Sequence, residues 1–209
     1  MTKNLESAET SAVATQADDR FDGTSIILHW LTVLLVVIQF SSAWLRESVD
    51  HHSPIAVSLL AAHINSGVLV WVTGVARLIW RYNFAYLPPF PPSMPKLQQT
   101  IAKLNEYSLY VLLLVQPITG LGRVLLRGQP FDLFFWQIPA LFEENDSVRH
   151  FLGESHEFGA KALLALIGLH AGAALFHRLV LRDGVLQRML PRISVRGKLA
   201  PALAKDDAE

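Results

Sequence analysis

The chain has 209 residues, of which 51% are hydrophobic and 17% charged, and its 18 basic and 18 acidic residues cancel. Zero net charge removes nucleic acid as an expected partner. The absence of cysteine removes disulfides, thiolate metal centres, iron–sulfur clusters and covalently attached haem. The apolar residues are concentrated rather than spread. Residues 23–45 and 53–76 contain no charge, and each run is long enough to cross about 30 Å of hydrocarbon as a helix. Shorter clean runs at 107–122 and 162–177 are bounded by Arg123 and Arg127, and by Lys161 and Arg178, whose long stems can snorkel from a longer helix. Four such segments leave too little polar surface for a soluble globule. The prediction is an all-α membrane protein, a four-transmembrane-helix bundle.

In chain order, residues 1–22 mix acids and small side chains with no apolar core, which predicts a disordered tail and no classical signal peptide. Helix one is expected at about 24–46, followed by the loop "RESVDHHS". Ser53 as cap and Pro54 at the first helical position open helix two, about 54–81. The proline-rich "LPPFPPSMP" is a rigid bridge to helix three, about 100–127, with Pro117 inside it. The segment 128–152 contains "PFDLFFWQIPALF", whose aromatics suit the membrane interface better than a fifth crossing. Helix four is expected at about 154–181, and residues 193–209 form a polar tail. The membrane domain is thus 23–192, with no internal repeat evident.

Four crossings put both termini and the middle loop on one side. Thirteen of the 18 Lys and Arg fall there, against five on the other side: Arg46, Arg123, Arg127, Arg149 and Lys161. The positive-inside rule therefore predicts both termini in the cytoplasm.

Histidine carries the chemistry. Of the eight, His51, His52 and His150 lie in outer loops and read as solvated side chains. His29, His63, His156, His170 and His177 lie in or near hydrocarbon, where an ionisable group is expensive and usually functional. Helix direction sorts them by depth: His29 and His170 toward the inner face, His63 and His156 toward the outer. The 14 residues between His156 and His170 amount to about 21 Å of rise and place both imidazoles on one face to within about 40°. Two cross-helix pairs follow, His63 with His156 and His29 with His170. Such pairs are what two bis-histidine haems between helices require, and without cysteine they are b-type, non-covalently held. His177 competes for the inner position, but it would stretch the separation to about 31 Å.

Gly67 and Gly74 fall on the His63 face of helix two, where they leave room either for a flat macrocycle or for a close neighbouring helix. Arg77, fourteen residues past His63 on that face, is suited to haem propionates or to anchoring at the inner headgroups. Zinc is the rival cofactor, but isolated imidazole pairs without cysteine or carboxylate partners make weak tetrahedral sites.

The stretches "SIILHW", "LLAAHINSG", "YVLLLVQPITGLG", "RGQPF" and "SHEFGAKALLALIGLHAGAALFHRLVLRDGVLQRMLPR" resemble the bacterial cytochrome b561 family over about residues 20–192. The resemblance implies a multi-pass protein of the bacterial inner membrane with two b-type haems, and it matches His29 and His170 to one axial pair and His63 and His156 to the other. Relatives often carry a histidine about four residues before the tyrosine of "YVLLL", where this chain has Glu106. The resemblance further implies electron transfer from superoxide on the periplasmic side to ubiquinone. A superoxide site needs positive potential near the outer haem. Arg123, Arg127 and Lys161 are the candidate residues, with Arg149 and Arg46 beside them, and lipid-headgroup anchoring is their alternative role. "PFDLFFWQ" could wall a quinone cleft. The competing reading is a cytochrome b subunit that links the quinone pool to a dehydrogenase or hydrogenase partner. A reading from another class is a membrane scaffold or transporter, which the lack of an inverted repeat disfavours.

Overall fold

The computed structural model describes residues 20–191, so the two tails read from sequence lie, apart from residues 20–22, outside the described residues. Four long helices dominate: α1 Gly23–Glu47, α2 Pro54–Asn83, α3 Lys96–Leu125 and α4 Asp146–Phe176. All four are long and apolar enough to span a membrane. The α4 helix continues into a π-helical turn, His177–Leu181, and a short 3₁₀ turn follows at Leu186–Met189. The end of the bundle where α1 begins and α4 finishes is called the base, and the opposite end the top.

Capping fixes where each helix starts. The Asp22 side chain accepts from the Ser25 N–H at 2.9 Å and from the Ser25 hydroxyl at 2.6 Å, which opens α1. Ser53 caps α2 through the Ala56 N–H, with Pro54 at the first position as read from sequence. Asn145 accepts from the Val148 N–H and opens α4 at Asp146, eight residues before the sequence reading placed it. The polar first turns of α4 project beyond the apolar stretch, so hydropathy alone places the start too late. Between α3 and α4 a two-stranded hairpin forms, β1 Phe131–Leu133 with β2 Trp136–Ile138, in the register Phe131 opposite Ile138. Its turn is tied down where the Phe134 N–H donates to Asn65 of α2 at 2.9 Å.

The helices pack as two hairpins, α1 along α2 and α3 along α4, which meet chiefly where α2 touches α3. Leu35, Val70, Leu113 and Leu163, one from each helix, are 4–7% exposed and form the central layer of the core. Much of the outward surface is apolar instead: Leu34, Val37, Ile118 and Leu175 are each more than half exposed. In water that surface would be a liability; facing lipid it needs no cover.

The base is knotted by polar contacts. The Trp80 indole donates to Asp22 at 2.9 Å, and the Trp30 indole to the Met189 carbonyl at 2.8 Å. Arg20 donates to the Leu190 carbonyl, and Arg188 to the Pro89 carbonyl at 2.6 Å. These contacts bring the start of α1, the proline-rich bridge and the segment after α4 together.

Candidate haem sites

The structure brings the membrane histidines together in twos. The rings of His63 and His156 lie 6.1 Å apart near the top, and those of His29 and His170 lie 6.2 Å apart toward the base. These spacings have a chemical meaning. A bond from an imidazole nitrogen to a first-row metal is about 2.0–2.1 Å, and the ring centre lies about 1.1 Å further on. Two imidazoles on opposite sides of one metal therefore have centres about 6 Å apart. Each pair is spaced for a single iron between its rings. No cluster of three or more His, Cys, Asp or Glu that could bind a metal occurs among the described residues, so neither pair is completed to a tetrahedral set by side chains of those types.

The upper pair is held by a polar cradle that repeats itself. His63 directs Nδ1 at the Gln39 carbonyl, 3.1 Å away, while the Gln39 amide donates back to the His63 carbonyl at 2.6 Å. His156 does the same with Gln116: Nδ1 to carbonyl at 3.0 Å, amide to carbonyl at 2.9 Å. A hydroxyl three residues after each glutamine stands beside the same ring nitrogen, Ser42 at 3.4 Å and Thr119 at 3.2 Å. With Nδ1 donating to a carbonyl, Nε2 is the free nitrogen on each ring, and its basicity and direction are set by that bond.

Small residues make this closeness possible. A Cβ added at Gly67 would lie 3.0 Å from the Gln39 amide nitrogen, and one at Gly159 would overlap the Gln116 amide. At Gly120 an added Cβ would lie 2.9 Å from Cε1 of His156. Gly74 sits elsewhere, buried against Leu114 of α3 at ordinary contact distance.

A cavity of about 730 Å³ opens beside the upper pair, lined by both histidines, both glutamines, Gly67 and Gly120. Its size falls in the range of about 300–1,000 Å³ usual for cofactor sites. Arg46, Arg123, Arg127, Arg149 and Lys161 are also among its lining residues, with Glu47 and Glu157. Lys161 is bonded to Glu157 at 2.7 Å, and Arg149 pairs with Asp146. The Nε atoms of Arg46 and Arg149 are buried with no hydrogen-bond partner. A largely apolar slot with two imidazoles and two partnerless guanidinium Nε atoms among its lining residues could hold an amphipathic dicarboxylate macrocycle.

The lower pair is built differently. His29 is half-buried and His170 exposed, and added Cβ atoms at Gly168 and Gly172, on either side of His170, would meet only open space. A guanidinium nitrogen of Arg77 lies 3.5 Å from Nδ1 of His29, with the guanidinium 5.2 Å from the centre of the Tyr110 ring. Glu106 makes a two-point ion pair with Arg81, at 2.7 and 3.2 Å. The ring facing His29 belongs to His170. His177 is buried in a separate cluster, with Asp183 on Nδ1 and Gln98 at 2.9 Å from Nε2. His150, an outer-loop histidine, is exposed 3.9 Å from Glu154.

The sequence singles out the four histidines, which the structure brings into two pairs, but not Gln39, Gln116, Ser42 or Thr119. The available signal was two glutamines standing inside otherwise apolar runs.

A lipid-facing four-helix bundle with imidazoles paired across its interior defines a membrane protein built to hold metal-centred cofactors between helices. Residues 20–192 match the family described as prokaryotic cytochrome b561. Across 83% of its length the chain is 32% identical to Cytochrome b561 homolog 1 of Escherichia coli strain K12, covering 98% of that protein. It is 30% identical over 176 residues to a Yersinia pestis protein named Probable superoxide oxidase CybB, covering 97% of it. Cytochrome b561 homolog 2 of E. coli K12 is 26% identical over 182 residues. The chain belongs to the prokaryotic cytochrome b561 family: bacterial multi-pass membrane electron-transfer proteins that bind b-type haem.

Proposed function

We propose that the protein is a superoxide:ubiquinone oxidoreductase of the bacterial inner membrane, with two bis-histidine b haems and both termini in the cytoplasm. The observation that carries this reading is the stacking of two one-iron imidazole pairs along the bundle, His63 with His156 in a cavity that basic residues also line and His29 with His170 toward the base. The 30% identity to a protein named as a probable superoxide oxidase supports the substrate. When bound, haem supplies reversible one-electron chemistry at each pair.

The chain's own residues do the rest. Gln39 and Gln116 fix the tautomer and angle of the upper imidazoles, so that both present Nε2. Arg123, Arg127 and Lys161 in the cavity lining raise the local concentration of a small anion through their positive potential. Lys161 shares its charge with Glu157, which leaves the two arginines as the stronger attraction. Arg77 places a cation beside the lower pair, where it favours carboxylates or added electron density. The exposed Phe135 and Trp136 of the hairpin sit at the level of the headgroups on the periplasmic side. The balanced reaction takes two superoxide anions, one ubiquinone and two protons to two dioxygen molecules and one ubiquinol.

The test is haem quantitation on the purified protein, followed by anaerobic superoxide addition with and without ubiquinone. Two haems per chain and superoxide-driven ubiquinol formation are expected. One haem per chain overturns the two-pair assignment. Two haems without such turnover move the assignment to an electron-transfer subunit serving a dehydrogenase or hydrogenase.

A further inference from the structure

The upper cradle contains a sequence repeat that neither length nor hydropathy shows. "QFSSAWLR" at 39–46 and "QPITGLGR" at 116–123 share a glutamine, a hydroxyl three residues later and an arginine seven residues later. In the structure the two glutamines hold the two upper imidazoles, and the two hydroxyls stand on the same ring nitrogens. Each arginine therefore stands in the same relation to its own histidine, one arginine from each helical hairpin.

Seven residues is close to two whole turns, so each arginine lies on its glutamine's face about 10 Å further toward the top. Both α1 and α3 run from base to top. Their Cα–Cβ bonds tilt toward the helix N-terminus, which for both arginines means back down toward the histidine pair. Both side chains line the cavity. The Nε of Arg46 is buried without a partner. Arg123 packs on the bare backbone of Gly153, where an added Cβ would come 3.3 Å from its Nε. Of the acids lining the same cavity, Glu157 is bonded to Lys161.

We propose that Arg46 and Arg123 are the two arms of a clamp, each pairing with one propionate of the haem held by His63 and His156. A haem carries two carboxylates side by side on one edge. A twofold repeat of glutamine, histidine and arginine around its centre supplies one axial nitrogen and one guanidinium per half. Arginine suits this role because its planar fork meets a carboxylate with two parallel hydrogen bonds. The lower pair has no such repeat. The positions ten residues before Gln116 and fourteen after His63 are Glu106 and Arg77, where the other halves carry His29 and His170.

This inference rests on the assignment of His63 and His156 as an axial pair, and that assignment is tested separately by haem content. His63→Ala should retain one haem per chain; loss of neither or of both is a failure of the pair and not of the clamp. The clamp is read from potentiometric titration of the full-length protein in nanodiscs. Arg46→Leu and Arg123→Leu should each lower the midpoint potential of the haem that His63→Ala removes and leave the other unmoved. Arg46→Lys and Arg123→Lys should restore most of the shift. No shift in either Leu variant, a shift in only one of them, or a shift of the other haem overturns the proposal. A chemical arm separates a clamp from a distant charge and does not depend on how the Leu variants fold. Wild type and Arg46→Lys reconstituted with iron protoporphyrin dimethyl ester should both show a raised upper potential, because esterification removes the propionate charges and leaves the cations of the clamp uncompensated. An esterified wild type that keeps the native potential overturns the clamp.

Discussion

Gly120→Ala is the sharpest test of the cradle, because one methyl group acts on one ring. The added Cβ would lie 2.9 Å from Cε1, 3.2 Å from Nδ1 and 3.6 Å from Nε2 of His156. Carbon contacts are comfortable from about 3.5 Å, so the ring must retreat by about 0.6 Å. Its Nδ1 is held at 3.0 Å by the Gln116 carbonyl and stands 3.2 Å from the Thr119 hydroxyl. A retreat of that size carries the two contacts to about 3.6 and 3.8 Å, where neither is a hydrogen bond. Overpacking costs about 1–3 kcal/mol and a lost hydrogen bond about 1 kcal/mol. Together roughly 2–4 kcal/mol weakens binding of the upper haem by about 30- to 1,000-fold. The change cannot act by weakening α3, because alanine stabilises a helix interior by about 0.5–1 kcal/mol relative to glycine. The assay is haem per chain and the low-spin ferric EPR spectrum of purified protein. The expected result is loss or displacement of the signal that His63→Ala also removes, with the other signal intact. Two haems with unaltered EPR signals would refute the reasoning.

Other expectations follow from the same contacts. Gln39→Leu and Gln116→Leu keep the backbone carbonyls that hold Nδ1 and remove only the amide bonds to the His63 and His156 carbonyls, so each should cost about 1 kcal/mol, about fivefold in upper-haem affinity, and leave the lower haem in place; equilibrium haem transfer to an acceptor protein measures this. Glu106→Gln breaks the two-point pair with Arg81 and should lower thermal stability by about 1–2 kcal/mol without loss of haem, measured by melting and absorbance together. Burial raises the Asp22 carboxyl pKa, but hydrogen bonds from Ser25 and Trp80 outweigh it and hold the group below its ordinary value. Its capping contribution is therefore complete above the unfolded carboxylate range and is lost as pH falls through the lowered value. Asp22→Ala should cost about 1 kcal/mol at neutral pH and flatten that acid dependence in melts taken from pH 7 down to 3.

The spans were legible because lipid imposes a length on apolar runs, and the pairing of His29 with His170 was legible because helix direction converts residue number into depth. The cradle was not. Gln39 and Gln116 stand out as polar residues in apolar surroundings, but nothing local states that a side-chain amide will reach another helix's carbonyl. That depends on Gly67 and Gly159 letting the helices close, which is a property of pairs of helices. The repeat linking Arg46 to Arg123 is hidden for a similar reason: its two halves share few residues, and the shared ones matter only once both face a common cavity. The hairpin at 131–138 was missed because three-residue strands carry too few alternations to register as a pattern, and its aromatics read equally well as interfacial loop.

The layer of Leu35, Val70, Leu113 and Leu163 lies between the two histidine pairs and contains no group that can hydrogen-bond water. An electron can cross it, whereas a proton finds no relay in these four side chains, so charge moving between the levels of the pairs is not compensated on the way. The 14 residues from His156 to His170 span about 21 Å of a hydrocarbon core about 30 Å thick. On the proposed reading, with the base toward the cytoplasm and a haem at each pair, an electron travelling inward would climb roughly two-thirds of a membrane voltage that is negative inside. At 100 mV that opposes it by about 1.6 kcal/mol, more than a tenfold change in the equilibrium between the two levels. On that reading a well-energised cell would hold electrons back toward the top of this bundle, and a depolarised one would let them through.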